Sequence, residues 1–221
     1  MQADKAAELF KAAVRLGVIL TPKSAAQSLR LLDELAQWNR AYNLTAITDG
    51  EAMIAGHLLD SLAASRDLSG SRIADLGTGA GFPGLPLAIV HPDRHFTLID
   101  ATAKKVRFVA HVARTLSLGN VTAMHARAEE LSPDKPFDTI LARAVGSLAG
   151  LGALARPIAG PGTLLLAYKG QRPDDEIASL PADWELVNVR DVRVPGLDAA
   201  RCIVTLKFRP GMRAQGLHLR P

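Results

Sequence analysis

A glycine-rich segment is the part of the sequence whose residue types and spacing most clearly indicate chemistry. Residues 75–84 (DLGTGAGFPG) follow a short apolar run, and Gly77, Gly79 and Gly81 alternate with other residues. Glycine lets the backbone adopt positive φ angles and approach a ligand closely, as in the loops that follow the first strand of nucleotide-binding α/β sheets. Residues 79–84 also satisfy the Gly-x-Gly-x-x-Gly pattern of dinucleotide-binding proteins. The segment predicts a site for a nucleotide-containing cofactor.

Two acidic residues bear on the identity of that cofactor. Asp75 precedes the glycines, and its carboxylate suits the ammonium group of a methionine moiety better than a pyrophosphate. Asp100 ends the second predicted strand, where an acid can accept hydrogen bonds from both ribose hydroxyls of either cofactor class. Asp75 therefore favours S-adenosylmethionine. A nicotinamide dinucleotide remains the alternative, and a third interpretation is that the glycines only form a tight turn.

The elements that must position this loop follow an alternating pattern. Short apolar runs alternate with helical stretches from about residue 70, which is typical of a doubly wound parallel sheet. The predicted strands are 72–76, 96–99, 121–124, 137–142 and 163–167, and the predicted helices between them are 86–91, 103–116 and 147–155.

The end of the chain departs from this alternation. Residues 184–194 and 202–208 are β-rich runs joined by a loop too short for a parallel crossover, so we predict an antiparallel hairpin. A parallel sheet closed by such a hairpin is the Rossmann-like α/β arrangement of class I S-adenosylmethionine-dependent methyltransferases. We therefore expect that domain over residues 69–208, a helical extension over residues 1–68 and a basic tail over residues 209–221.

The N-terminal extension carries helix signals and a few polar candidates. Thr21 followed by Pro22 predicts a helix start, and Asp49 is a possible cap of a third helix. In that helix, residues 57, 60 and 61 (His, Asp, Ser) lie at i, i+3 and i+4, so they either face a catalytic cleft or form an ion pair on the helix surface. Asn43 either binds RNA or caps the end of the second helix.

Basic residues follow several of the predicted strands. Arg127 and Arg143 come after the third and fourth strands, at the edge where open α/β sheets bind ligands, and Lys169 follows the fifth. Lys104 begins a helix, and Arg201 lies within the hairpin. These cations are candidates for RNA or catalytic contacts, with a solvated surface as the alternative for each.

Composition narrows the class of protein. There are 26 Lys and Arg against 22 Asp and Glu, and the excess lies in residues 207–221, which suits a polyanionic partner or a solvated end. Cys202 is the one cysteine, so we expect no disulfide and no metal site built on cysteines, as in a reducing cytoplasm. No signal peptide or spanning segment is evident, so we predict a soluble monomer.

Several spaced motifs together resemble one protein family. The bacterial small-subunit ribosomal RNA guanine-N7 methyltransferases, once called glucose-inhibited division protein B, share this combination over about residues 9–208. The motifs are residues 37–45 (QWNRAYNLT), 57–61 (HLLDS), 75–84, 141–144 (LARA), 168–171 (YKGQ) and 194–198 (VPGLD).

The resemblance implies methyl transfer from S-adenosylmethionine to N7 of a guanine in the decoding-region loop of 16S rRNA. The family's cofactor contacts correspond here to Gly77, Phe82, the pair Ala128 and Glu129, and Arg143. The family's basic residues with RNA or catalytic contacts correspond to Arg143, Arg127, Lys169, Arg201 and Lys104. We take the first four as catalytic candidates and Asn43, His57 and Lys104 as candidates for RNA binding. We expect no metal.

The residues themselves agree with N7 chemistry. Methylating carbon 5 of a pyrimidine needs a cysteine nucleophile, whereas Cys202 lies inside a terminal strand. Methylation of amino groups usually uses an Asn or Asp-Pro-Pro-aromatic turn after the fourth strand, and residues 142–145 read ARAV instead. Guanine N7 needs no general base. A nicotinamide oxidoreductase, a small-molecule methyltransferase and a ribosome-binding protein without catalysis remain the alternatives.

Overall fold

The N-terminal third is helical. A computed structural model describes residues 2–144 and 146–211. Helix α1 spans Gln2–Arg15 and is followed by Gly17 at a φ of +74°. Helix α2, Pro22–Tyr42, begins at Thr21, whose hydroxyl accepts a hydrogen bond from the Ser24 amide, so the predicted start is confirmed.

The third helical segment contains an unusually wide turn. It starts at Asp49, whose carboxylate accepts hydrogen bonds from the amides of Glu51 and Ala52, and runs through α3 (Gly50–Met53), a π-helical turn (Ile54–Leu59) and α4 (Asp60–Leu62). Single π-helical turns inside α-helices are frequent at functional sites. This segment carries His57, Asp60 and Ser61, all buried.

Seven strands form one mixed sheet. They are β1 (Arg72–Leu76), β2 (His95–Asp100), β3 (Val121–His125), β4 (Phe137–Arg143), β5 (Ala159–Lys169), β6 (Trp184–Val192) and β7 (Arg201–Phe208). The spatial order is β3-β2-β1-β4-β5-β7-β6. The first five strands pair in parallel, and β7 pairs antiparallel with both β5 and β6, which confirms the predicted sheet and terminal hairpin.

Helices cover both faces of the sheet around two apolar cores. The connecting helices are α5 (Gly84–Val90), α6 (Ala103–Thr115), α7 (Leu148–Ala155) and α8 (Asp174–Ala178). One core joins residues of the N-terminal helices, such as Leu31 and Leu58, to Phe96 and Leu98 of β2. Residues 2–68 thus contribute helices that share a core with the sheet. None of the helices within the described ranges is long and apolar enough to cross a bilayer.

Candidate active site

The glycine-rich loop connects β1 to α5 and is held in a conformation that needs glycine. Gly77, Gly79 and Gly81 have φ angles of +64°, +60° and +87°. The Thr78 amide donates to the Ile99 carbonyl at 3.0 Å, which fixes the loop to β2. At Gly81 a Cβ atom would also collide with the Leu85 side chain. The loop therefore presents main chain rather than side chains to the space above β1.

Asp75 lies beneath this loop. Its Oδ2 accepts hydrogen bonds from the Thr78 hydroxyl at 2.6 Å and from the Gly84 amide at 2.8 Å. Oδ1 is buried without a hydrogen-bond partner in the described part of the chain. Burial raises the pKa of Asp75 to about 6. The carboxylate therefore shapes the loop from below, and Asp75 is not among the described residues that line the cavity above it.

Asp100 holds the same loop from the end of β2. Its Oδ2 accepts from the Gly79 amide at 2.9 Å, and its Oδ1 accepts from the Thr102 amide at 2.8 Å. The ammonium group of Lys105 lies 3.7 Å from Oδ2. Each carboxylate oxygen keeps a further lone pair, so Asp100 can support the loop and still accept a hydrogen bond from a ligand.

A cavity of about 390 Å³ opens above the loop. Gly77, Gly79, Phe82, Asp100 and Arg143 line it, so these predicted cofactor residues are brought together in space. It combines main-chain groups, a carboxylate, a guanidinium and an aromatic ring. These are groups that S-adenosylmethionine needs, whereas Asp75 and Gly81 are not among the described residues that line this space. We call this space the cofactor cavity.

A second cavity of about 350 Å³ adjoins the first. We call it the target cavity. His57, Arg143 and Ala144 line both spaces, so ligands in the two cavities would meet there. Ala144, directly after β4, has a φ of +57°, a conformation that is costly for a residue with a Cβ atom. Strained backbone of this kind clusters at functional sites.

One buried carboxylate holds two arginines in the target cavity. Asp60 Oδ2 accepts from Nη1 of Arg143 at 3.0 Å, and Asp60 Oδ1 accepts from Nε of Arg201 at 3.0 Å. Nη1 of Arg143 also donates to the Gly56 carbonyl at 3.1 Å. The sequence left open whether Asp60 pairs on the helix surface; the structure buries it between cations from β4 and β7 instead.

His57 lies between the two cavities as a neutral imidazole. Its Nε2 is 2.9 Å from the Thr45 hydroxyl, and its ring stacks on Phe82 at 4.7 Å between centroids. Its Nδ1 is buried with no hydrogen-bond partner among the described residues. Burial, assisted by the nearby charge of Arg143, lowers its pKa to about 4. The side chain is therefore a weak base with one unused nitrogen.

Two further side chains of the target cavity are held by contacts that the sequence did not reveal. Lys169 donates to Glu176 at 2.8 Å, so its charge is compensated by α8, an element that the hydrophobic pattern did not predict. The Tyr168 hydroxyl donates to the Ser61 carbonyl at 2.7 Å, which ties β5 to the helical extension. Asp60, Tyr168 and Thr45 all lie within the motifs on which the family resemblance rests. Membership in these motifs is the feature of the sequence that could have indicated their importance.

Other predicted site residues lie apart from these cavities. Arg127, Ala128 and Glu129 follow β3 at the edge of the sheet and are not among the described residues that line either cavity. The Lys104 ammonium donates to the Tyr42 carbonyl at 3.1 Å. Asn43 adopts the left-handed conformation as the C-cap of α2, with its amide bonded to the Asn39 carbonyl. Their predicted ligand contacts stay predictions.

Cys202 is placed as a structural residue. It is buried in β7, and burial raises the pKa of its thiol. A thiol with a raised pKa is a poor nucleophile at neutral pH. The structure therefore supports the expectation that this cysteine packs rather than reacts.

The fold and site together define a class I S-adenosylmethionine-dependent methyltransferase. This class combines three features that are present here: a glycine loop after the first strand, an acidic residue at the end of the second strand, and an antiparallel hairpin at the end of the sheet. Solved structures share this fold. A methyltransferase from Thiobacillus denitrificans in complex with S-adenosyl-L-homocysteine is 15% identical, with a TM-score of 0.51 over 80% of this chain and 98% of that one. One from Aquifex aeolicus is 20% identical, with a TM-score of 0.52 over 71% of this chain and 93% of its own.

Sequence comparison identifies the family within this class. Residues 24–204 match the family model described as rRNA small subunit methyltransferase G, and the chain belongs to this family. A ribosomal RNA small subunit methyltransferase G of Aeromonas salmonicida is 41% identical, over 88% of this chain and 93% of the relative. The protein of the same name from Xanthomonas campestris is 45% identical, over 82% of this chain and 86% of the relative.

Proposed function

We propose that this protein transfers a methyl group from S-adenosylmethionine to N7 of a guanine in the decoding-region loop of 16S rRNA. The name of the family and of its relatives supports small-subunit rRNA as the substrate. The choice of guanine N7 rests on one observation. The Asp60 carboxylate holds the guanidinium groups of Arg143 and Arg201 together in the target cavity.

The cofactor cavity supplies groups suited to each polar part of S-adenosylmethionine. When bound, this cofactor provides an electrophilic methyl group on a positively charged sulfur. We assign Asp100 to the ribose hydroxyls, and the main chain of Gly77 and Gly79 to close contact with the methionine moiety. We assign Arg143 to the negatively charged carboxylate of that moiety. We assign Asp75, which lies beneath the loop with its Oδ1 buried and unpaired among the described residues, to the ammonium group. Phe82, Gly81 and the pair at residues 128–129 complete the proposed contacts.

Guanine N7 suits the chemistry of the target cavity. Its in-plane lone pair is unprotonated at neutral pH, so methylation there releases no proton and needs no general base. The cavity matches this requirement, because His57 is a weak base and both oxygens of Asp60 already accept hydrogen bonds from guanidinium groups. Catalysis then comes largely from holding N7 in line with the methyl group.

The same guanidinium groups favour guanine over adenine. Beside N7, guanine presents the O6 acceptor, whereas adenine presents an amino donor. Arg143 and Arg201 each keep N–H donors that Asp60 does not use. Such donors suit O6 and oppose an amino group. Lys169, Arg127 and Lys104 are proposed to contact RNA phosphates nearby or further along the strand.

Methylation of defined RNA tests this proposal. Small-subunit rRNA and intact small subunits from a strain lacking the protein are incubated with enzyme and S-adenosylmethionine, and the modified nucleotide is mapped by mass spectrometry. We expect N7-methylguanosine at a single position in the decoding region. A matched RNA with 7-deazaguanine at that position should accept no methyl group. Methylation of another atom, or of large-subunit rRNA alone, would contradict the proposal.

We also propose that the enzyme acts as a cytoplasmic monomer and that its tail, residues 209–221, contacts rRNA. The excess positive charge of this end supports RNA contact. Arg209 pairs with the exposed Glu185 at 2.7 Å, while Arg213 and Arg220 lie outside the described residues. Light scattering of the free protein tests the monomer, and a dimer at working concentrations would refute it.

A further inference from the structure

A third and larger cavity, about 810 Å³, begins where the target cavity ends. Gly170 and Arg201 line both, so the two spaces adjoin. The end of α1, the loop after β5 and the β6–β7 hairpin form its walls, from Arg15, residues 170–172 and residues 191–201. We call this space the hairpin groove. A strand that places one nucleotide in the target cavity has this groove as an adjoining path for its neighbours.

The hairpin groove is positively charged. Its walls carry Arg15, Arg172, Arg193 and Arg201 against Asp191 and Asp198. Arg172 pairs with Asp174, and Arg201 pairs with Asp60. The exposed side chains of Arg15 and Arg193 make no ion pair or hydrogen bond with the described residues. Two uncompensated guanidinium groups, from opposite ends of the chain, therefore face the same space.

The hairpin that forms one wall is anchored to the core. Val194 is buried, and Leu197 packs against the core that contains the N-terminal helices. At Gly196 a Cβ atom would lie 3.3 Å from the Ala55 side chain, so the turn sits close against the π-helical turn, which carries His57 and is followed by Asp60. Packing of this turn thus positions the hairpin wall of the groove relative to the target cavity.

We propose that the hairpin groove binds the single-stranded RNA that flanks the target nucleotide, with Arg15 and Arg193 contacting its phosphates. This inference rests on the proposed function, and it specifies where the RNA on either side of the target nucleotide lies on the protein. Phosphate contacts position an RNA without reading its bases, and guanidinium groups bind phosphate through paired N–H donors. Arg15 extends the RNA-binding surface to α1, which packs against α2 and the π-helical turn but lines neither the cofactor nor the target cavity.

Paired neutralisation of the two arginines tests the groove. The double variant Arg15→Gln with Arg193→Gln is compared with Lys23→Gln combined with Arg114→Gln. Lys23 and Arg114 line surface cavities that also include residues 117–119, before β3, at the opposite edge of the sheet. Both variants lose two positive charges. The probe is naked small-subunit rRNA from a strain lacking the protein.

The groove variant should bind this rRNA about tenfold more weakly than the control variant, since each phosphate contact adds to affinity. The slope of log affinity against log salt should be shallower by about 1.4, at roughly 0.7 for each contact to single-stranded RNA. S-adenosylmethionine affinity by calorimetry should equal that of wild type. Arg15→Lys with Arg193→Lys keeps both charges and should retain the wild-type slope.

Each other outcome overturns the inference. Equal affinity and slope for the groove and control variants, with wild-type methylation intact, would refute the groove alone. A defect seen with intact small subunits but absent with naked rRNA would assign the groove to a ribosomal protein instead. If the wild-type enzyme neither binds nor methylates small-subunit rRNA, whether naked or in intact small subunits, the proposed function fails together with the groove.

Discussion

Replacing Asp60 by asparagine should remove the charge that positions two arginines while keeping the shape of the side chain. Asp60 has 6% of its side chain exposed, and its partners Arg143 and Arg201 have 18% and 28% exposed. Removing one partner of a fully buried ion pair costs about 3–5 kcal/mol, whereas exposed pairs contribute about 0–1 kcal/mol. Because both guanidinium groups keep some contact with water, we expect a loss near the middle of these ranges, about 2 kcal/mol.

The loss of stability should appear as a lower melting temperature. For a chain of this length, about 2 kcal/mol corresponds to a decrease of roughly 4–8 °C. The loss of activity should be larger than partial unfolding explains, because Arg143 lines both cavities. A displacement of about 1 Å in a reacting pair can reduce the rate about 100-fold. We therefore expect kcat, measured well below the melting temperature, to fall about 100-fold.

Asp67→Asn is the matched control. Asp67 also forms a partly buried ion pair, with Arg190, and the two side chains are 15% and 16% exposed. Neither residue is among the described residues that line the three cavities. This variant should lose similar stability and keep kcat. If Asp60→Asn behaves in the same way, with kcat preserved at saturating RNA and cofactor, then holding the two guanidinium groups is not part of catalysis.

Four further perturbations separate cofactor binding, folding and RNA binding. Gly77→Val should abolish S-adenosylmethionine binding by calorimetry, because a branched side chain is strained at a φ of +64° and projects into the cofactor cavity; wild-type affinity would refute this. Asp100→Ala should weaken cofactor binding by about 1–3 kcal/mol, since the proposed ribose contact and the anchor of Gly79 are both lost, and an effect confined to RNA affinity would show that Asp100 is misassigned. The pKa of His57 is about 4 in the folded protein against 6.5 in the unfolded chain, so stability falls as pH drops from 6.5 to 4. The stability difference between wild type and His57→Gln should therefore decrease by about 2 kcal/mol over this window in denaturant titrations, and a difference independent of pH would exclude burial of a neutral imidazole. Removing residues 209–221 should weaken rRNA binding and its salt dependence without changing cofactor affinity, and identical salt slopes in filter binding would show that the tail is only solvated.

Local pattern determined the secondary structure and fold class of this protein. Runs of apolar residues bounded by turn signals placed every strand of the sheet, and the short connection after β6 required an antiparallel hairpin. The placement of the glycine loop and of Asp100 in the site could also be predicted from the sequence, because it depends on position relative to the end of a strand rather than on distant contacts. The structure brings them to the same cavity.

The partners of the site's charged groups depended on tertiary structure. From sequence, Asp60 had two open interpretations, since helical spacing shows which residues share a face but not what that face meets. The structure brings Arg143 and Arg201 to it from 83 and 141 positions along the chain. Similarly, Lys169 is compensated by Glu176 of a short helix that carries little hydrophobic periodicity.

The physical reason lies in the range of each interaction. Helix and strand formation respond to neighbours within a few residues, so periodicity and turn residues reveal them. The pairing of a buried charge, by contrast, is decided when separate elements pack, because a carboxylate leaves water only if cations reach it from the surrounding elements. For this chain, sequence alone therefore determined the methyltransferase fold and the place of its loop, and only the packing of the N-terminal helices against β4 and β7 decided how Asp60 orients the arginines of the site.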